Sequence, residues 1–109
     1  MSALSRRKGA RGELEVVELL RAAGFTSARR NFGSGSAGGG DIAGGPGGIH
    51  LEIKRGRRID LPGAVRQAEL EAQPHETPVV AHRRDGEDWN ATLPLDDLLA
   101  LLALREREA

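Results

Sequence analysis

The chain has 109 residues, sixteen basic and sixteen acidic side chains and a formal net charge of zero. That describes one domain around one core, and it argues against a purely electrostatic nucleic-acid binder. Cysteine is absent, which excludes disulfides, thiolate zinc sites and a cysteine nucleophile. No stretch is apolar enough to span a membrane and no signal-peptide pattern is present, so the expectation is a soluble cytoplasmic protein.

The charge is unevenly distributed. Arg6, Arg7, Lys8 and Arg11 crowd the start, Arg29 and Arg30 follow the first predicted helix, and Lys54, Arg55, Arg57 and Arg58 surround a strand end. Acids dominate from Glu69 to Glu76 and again after Asp85. A basic first half suits a phosphate-backbone partner. Only Lys8 and Lys54 are lysines.

Residues 5–23 read as an amphipathic helix ended by Gly24. Val16, Val17 and Leu20 share one face, with Leu14 and Ala23 at its margins and Glu15 and Glu18 on the far side. Glu13 falls near the middle of the apolar face, where an acid must be paired, protonated or holding a cation. An ion pair with an Arg or Lys near the helix start is the plain alternative to a site. Phe25–Phe32 is predicted to be a short strand carrying Arg29 and Arg30. The glycine-rich loop from Ser34 to Gly40 lacks the Gly-Lys-Ser/Thr ending of a nucleotide loop. Its length predicts a loop that touches substrate.

Gly40-Asp41-Ile42 is followed by the turn Gly44–Gly48 and then by Ile49-His50-Leu51-Glu52-Ile53-Lys54. The last six residues alternate, as a half-buried strand does: Ile49, Leu51 and Ile53 on one face, His50, Glu52 and Lys54 on the other. A hairpin closed by the Gly/Pro turn would place Ile42 opposite Leu51 and Asp41 opposite Glu52. Opposed side chains have Cβ atoms roughly 4.5–5.5 Å apart, and two carboxylates that close repel each other. A hard divalent cation between them removes the penalty. Glu-x-Lys alone is common on strands; the facing acid makes it a candidate site.

Leu61-Pro62-Gly63 opens a helix over 62–73 with Leu61, Val65, Ala68 and Ala72 as its inner stripe and Gln67 away from it. Pro78–His82 is a strand, Asp85-Gly86 a turn and Trp89–Leu93 the last strand. Leu95–Leu104 is a leucine-dense helix with Asp96 and Asp97 in its first turn. Its apolar circumference exceeds what one sheet face needs, so it either completes the core or makes a dimer contact. His50, His75 and His82 show no zinc spacing. The predicted order is αβββαββα, an α/β fold with a small mixed five-stranded sheet flanked by helices.

An acid in the first helix, then Asp41, then Glu52-Ile53-Lys54 resembles the PD-(D/E)xK nuclease superfamily. Lys8-Gly9-x-x-x-Glu13, Gly24-Phe25, Arg30, the Ser-Gly loop, Asp41-Ile42 and the Trp89 strand are similar to the archaeal- and phage-type Holliday junction resolvases. The similarity runs from Arg7 to about Leu99. Gly40 departs from it, standing where that pattern has Pro.

The resemblance implies a restriction-endonuclease-like fold and a metal-dependent endodeoxyribonuclease acting on four-way DNA junctions. Asp41, Glu52 and the Ile53 carbonyl would hold Mg²⁺ or Mn²⁺, with Glu13 completing the cluster. Lys54 would orient or help deprotonate the attacking water, and Ser34 or Ser36 would match the resolvases' active-site serine. Arg6, Arg7, Lys8, Arg11, Arg29, Arg30, Arg55 and Arg57 would grip the DNA backbone, with Ser34 and Gln67 as further contacts. Cutting two strands related by a two-fold implies a homodimer. Trp89, Phe25 and Phe32 are the only aromatics, too few for a single-strand stacking platform, which favours branched duplex DNA. A nicking or repair endonuclease of this fold, or a non-catalytic DNA-binding module, is the alternative.

Overall fold

Helix α1 (Ala3–Ala22) is placed by Val16 and Val17, which are buried against a strand bearing Leu51 and Ile53. The computed structural model describes residues 3–32 and 40–108, with side chains from residue 9 onward. The chain leaves α1 through Gly24 at φ +108°, where the Phe25 amide donates to the Leu20 carbonyl at 2.9 Å. That left-handed exit is the glycine ending the sequence predicts.

Strand β1 (Arg29–Arg30) pairs antiparallel with β2 (Ile42–Ala43), Arg30 opposite Ile42. Strand β3 (Ile49–Gly56) pairs parallel with β4 (Thr77–Arg84) along its whole length, Glu52 opposite Val80 and Lys54 opposite His82. Helix α2 (Leu61–Glu71) makes the crossover between them. Asp60 caps α2, its Oδ1 accepting from the Gly63 amide at 3.1 Å. Strand β5 (Asn90–Thr92) returns antiparallel to β4, and α3 (Leu95–Glu108) follows. The fold is α/β with the order αβββαββα, as read from the sequence. Its strands divide into the pair β1-β2 and the mixed sheet β3-β4-β5, joined by a parallel bridge between Gly40 and Leu51.

Two expectations need correction. Asp41-Ile42 and Ile49–Lys54 do not close into an antiparallel hairpin with Asp41 opposite Glu52. Ile42 pairs with Arg30 instead, and the Gly/Pro run loops the chain round so that Gly40 meets Leu51 in parallel. Nor is the polar face of β3 half-solvated: His50 and Glu52 are each only 3% exposed. A parallel βαβ unit covers both sheet faces. Here α1 lies over Leu51 and Ile53 on one side, while Ala64 and Ala68 of α2 pack with Val80 on the other.

The leucine-dense helix does not complete the core, since α3 has no buried residue. Among the described residues, no helix is long and apolar enough to cross a membrane.

Candidate metal centre

Gly40 sets the site. Its φ is +73°, and a Cβ there would lie 2.3 Å from the Leu51 carbonyl oxygen. Only glycine allows that approach. It lets the Asp41 amide donate to the Leu51 carbonyl at 2.7 Å, and the Ile53 amide donate to Asp41 Oδ2 at 2.7 Å. Asp41 is therefore anchored along one edge of β3 by side chain and backbone together. The N–H and C=O of one strand residue share an edge, so the Ile53 carbonyl faces the Asp41 side. Asn31 ties the same loop to β1: its amide donates to the Asp41 carbonyl at 2.9 Å and its side chain to the Gly40 carbonyl at 3.0 Å.

The charges around this edge act on one another. Burial raises the Asp41 pKa above its usual value; the Ile53 hydrogen bond opposes this, Glu13 adds to it, and Lys54 and His50 oppose it. Glu52 is pushed up to about 7, first by burial and then by the Asp41 charge, with Glu71 adding and the His50 hydrogen bond opposing. The Asp41 charge adds to the resistance of Glu52 to ionisation, a penalty that a bound cation relieves.

Lys54 Nζ donates to Gln67 Oε1 at 3.3 Å, and Gln67 Nε2 donates to Glu71 Oε1 at 3.3 Å. Gln67 thus reaches the site rim from α2. Beside it opens a cleft of ≈ 350 Å³, whose lining includes Lys54, Arg58, Asp60 and Gln67.

Glu13 is paired with Arg30 of β1: Arg30 Nε donates to Glu13 Oε1 at 2.7 Å. The Arg30 guanidinium also sits 4.6 Å above the Phe32 ring. Arg30 therefore faces an acid.

Arg55 sits in a charge cluster rather than in open solvent. Alternation puts it on the face of Ile53, toward α1, and its side chain is 12% exposed with Nε 3.1 Å from Glu15 Oε2. Nε lacks an aligned hydrogen bond, so the contact is an ion pair. Arg83 Nη1 and Trp89 Nε1 both donate to Glu15 Oε1, the indole at 3.1 Å. Glu15 is thus not on a solvated far side. Burial works to raise its pKa, but the Trp89 and Arg83 hydrogen bonds and the Arg55 charge hold it below the usual carboxylate value. Gly12 makes room for this cluster, because a Cβ there would come within 3.0 Å of Arg55 Cβ.

Arg11, Arg29 and Arg57 are exposed, with Arg29 Nη1 donating to the Ser27 carbonyl at 3.2 Å. Ser34, Ser36 and the side chains of Arg6, Arg7 and Lys8 lie outside the described residues.

The sequence puts His50 on the face of Glu52, beside the acids, but does not report its burial. Its Nε2 is 2.8 Å from Glu52 Oε1 and its Nδ1 3.9 Å from Glu76. Among the described residues, His50, Glu52 and Glu71 are the groups whose ligand-type atoms converge within 4.8 Å. Glu13 and Asp41 are linked to this group through their charges. The alternation that marks His50 as polar gave no sign that α2 would cover it.

No family model, characterised protein or solved structure matches this chain. The functional reading therefore stands on the site itself and on the short motifs.

Proposed function

We propose that this protein is a metal-dependent endonuclease that hydrolyses phosphodiester bonds in branched duplex DNA, with the four-way junction as its substrate. The observation that carries the reading is Glu52, a carboxylate 3% exposed and driven to about 7 by burial and by Asp41, two residues before a lysine. The donor set is hard oxygen, which fits Mg²⁺ or Mn²⁺. Asp41, Glu52 and the Ile53 carbonyl would hold the ion, with Glu13 nearby in charge range. When bound, such an ion supplies a water of lowered pKa and positive charge against the phosphate.

The remaining work falls to the chain's own groups. Asp41 is fixed by the Ile53 amide, and Glu52 is oriented by His50. Gln67 holds Lys54 at the rim, where its ammonium can donate to the attacking water or to a phosphate oxygen and offset charge that develops there. Exposed Arg11, Arg29, Arg57 and Arg58 give backbone affinity that is salt-dependent and largely sequence-independent. Two cuts related by a two-fold require two copies of a domain with one site, so the working form is a homodimer.

The test is incubation with a synthetic four-way junction, a flap and a linear duplex, each with Mg²⁺ or EDTA. Paired, metal-dependent cuts in the junction alone are expected. Cleavage of all three substrates alike would assign a general nicking or repair endonuclease, and junction binding without cleavage would assign a non-catalytic module.

A further inference from the structure

The face of β3 beneath the end of α2 gathers more negative charge than the fold neutralises. The side chains of Glu52 and Glu76 are only 4% and 5% exposed. Glu71, the last residue of α2, stands close enough to hydrogen-bond with the Glu52 carboxyl. Among the described residues no Lys or Arg lies within ion-pair distance of Glu52 or Glu71, and the group between Glu52 and Glu76 is His50. The α2 dipole adds to the deficit, because its C-terminal end is negative and its last turn carries no basic residue. Enclosed carboxylates crowded in this way call for a cation.

The donors on this face differ in kind from those along the Asp41 edge. His50, Glu52 and Glu71 each offer a ligand atom, and these atoms lie within 4.8 Å of one another. Ligand atoms about 2.1 Å from one tetrahedral ion stand roughly 3.4 Å apart. The 2.8 Å between His50 Nε2 and Glu52 Oε1 and the wider spread to Glu71 bracket that spacing, so small side-chain rotations close the three on one ion. Around them are the outer partners that hold metal ligands in place. His50 turns its other nitrogen, Nδ1, to Glu76 Oε1 at 3.9 Å, and Gln67 Nε2 donates to Glu71 Oε1 at 3.3 Å. Glu71 is exposed, which leaves an entry path. One imidazole and two carboxylates suit Zn²⁺, whereas Mg²⁺ takes oxygen ligands in octahedral geometry.

We propose that His50, Glu52 and Glu71 form a second cation site, selective for Zn²⁺ and similar transition ions over Mg²⁺, with water as the fourth ligand. The site shares Glu52 with the ion proposed above but takes no ligand from Asp41 or Glu13. It is read from β3 and α2 alone and does not depend on the nuclease assignment.

Titration of the full chain with Zn²⁺, after EDTA treatment and in excess Mg²⁺, tests the site by calorimetry and by imidazole ¹⁵N NMR. One equivalent of Zn²⁺ should bind and shift the ring nitrogens of His50, leaving those of His75 and His82 in place. Glu71→Gln should weaken Zn²⁺ at least about tenfold, the lower bound set by loss of an outer partner. Its circular dichroism should be unchanged, because Glu71 is exposed and the new amide oxygen still accepts from Gln67. His50→Gln, which keeps a donor for Glu52, should weaken Zn²⁺ further, and Asp41→Asn should retain it. Zn²⁺ that leaves the His50 resonances unmoved, that binds Glu71→Gln as tightly as the wild type, or that Mg²⁺ displaces at equal concentration overturns the proposal. Loss of Zn²⁺ binding in Asp41→Asn would merge the two sites into one and also overturn it. None of these readouts involves DNA cleavage, so failure of the nuclease reading and failure of this site are told apart.

Discussion

The Ile53 amide donates to Asp41 Oδ2 at 2.7 Å, a bond that spans twelve residues and sets a glycine-flanked acid against the strand that carries Glu52 and Lys54. Asp41→Asn keeps an oxygen that can accept this bond, so the fold should survive. The lost charge removes one repulsion on Glu52, whose titration should move below about 7. Calorimetry should find Mn²⁺ binding lost or severely weakened, and junction cleavage should be abolished with junction binding retained. An Asn variant that still cuts would remove Asp41 from the metal site.

The pH dependence of stability has an unusual sign. Glu52 is raised from an ordinary 4.5 to about 7, so the folded state holds its proton more tightly than the unfolded chain does. That stability is fully present below 4.5 and is lost as pH rises through about 7. In EDTA, the melting temperature should fall between about pH 4.5 and 7 and level off above that. Glu52→Gln should flatten the slope and melt above the wild type at the alkaline end. Saturating Mg²⁺ should offset the alkaline loss, because it favours the ionised acids and binds only the folded state. A wild-type profile parallel to that of Glu52→Gln would show that Glu52 ionises normally.

Gly40 stands where the resembling nucleases carry proline, and the local backbone explains the exchange. Its φ of +73° is closed to proline, whose ring fixes φ near −65°, and a Cβ would strike the Leu51 carbonyl. Gly40→Ala should cost roughly 2 kcal/mol or more in urea unfolding. Gly40→Pro should cost more and also remove Mn²⁺ binding. An unchanged midpoint for Gly40→Ala would mean that the loop before Asp41 approaches β3 differently.

Local signals in the sequence were sufficient for much of this architecture. The glycine that ends α1, the alternation of β3 and the Pro62 start of α2 each depend on near neighbours. The pairing of β2 was not legible, because the Gly44–Gly48 run permits either an antiparallel closure or the wider loop that places Gly40 beside Leu51. Burial of His50 and Glu52 depends on α2 crossing that face, which period-two alternation does not report. Glu13 read correctly as an acid in need of a partner, but Arg30 lies seventeen residues away. Glu15 misled for the same reason: Arg83 and Trp89 are 68 and 74 residues distant.

Glu15 leads to the last prediction. It gathers Arg55, Arg83 and the Trp89 indole and so connects α1 to the end of the β3-β4-β5 sheet where Arg55 faces Arg83 and β5 begins. Arg55 is the most enclosed of the charged members, at 12% exposure, and Glu15→Ala would remove its ion-pair partner among the described residues. A partly buried cation without its partner loses more than the pair's net contribution. Glu15→Ala should therefore destabilise by about 1–3 kcal/mol, read by urea unfolding. Glu15→Gln should lose less, since its oxygen can still accept from Trp89. The lowered Glu15 pKa also assigns a pH window: its stabilisation is present above the ordinary 4.5 and is lost as acid protonates the folded form. The Glu15 variants should thus converge on the wild type in stability at low pH, and a double-mutant cycle with Arg83→Ala should show positive coupling. Additive losses would mean that the two side chains contribute independently and that Arg55 alone satisfies Glu15.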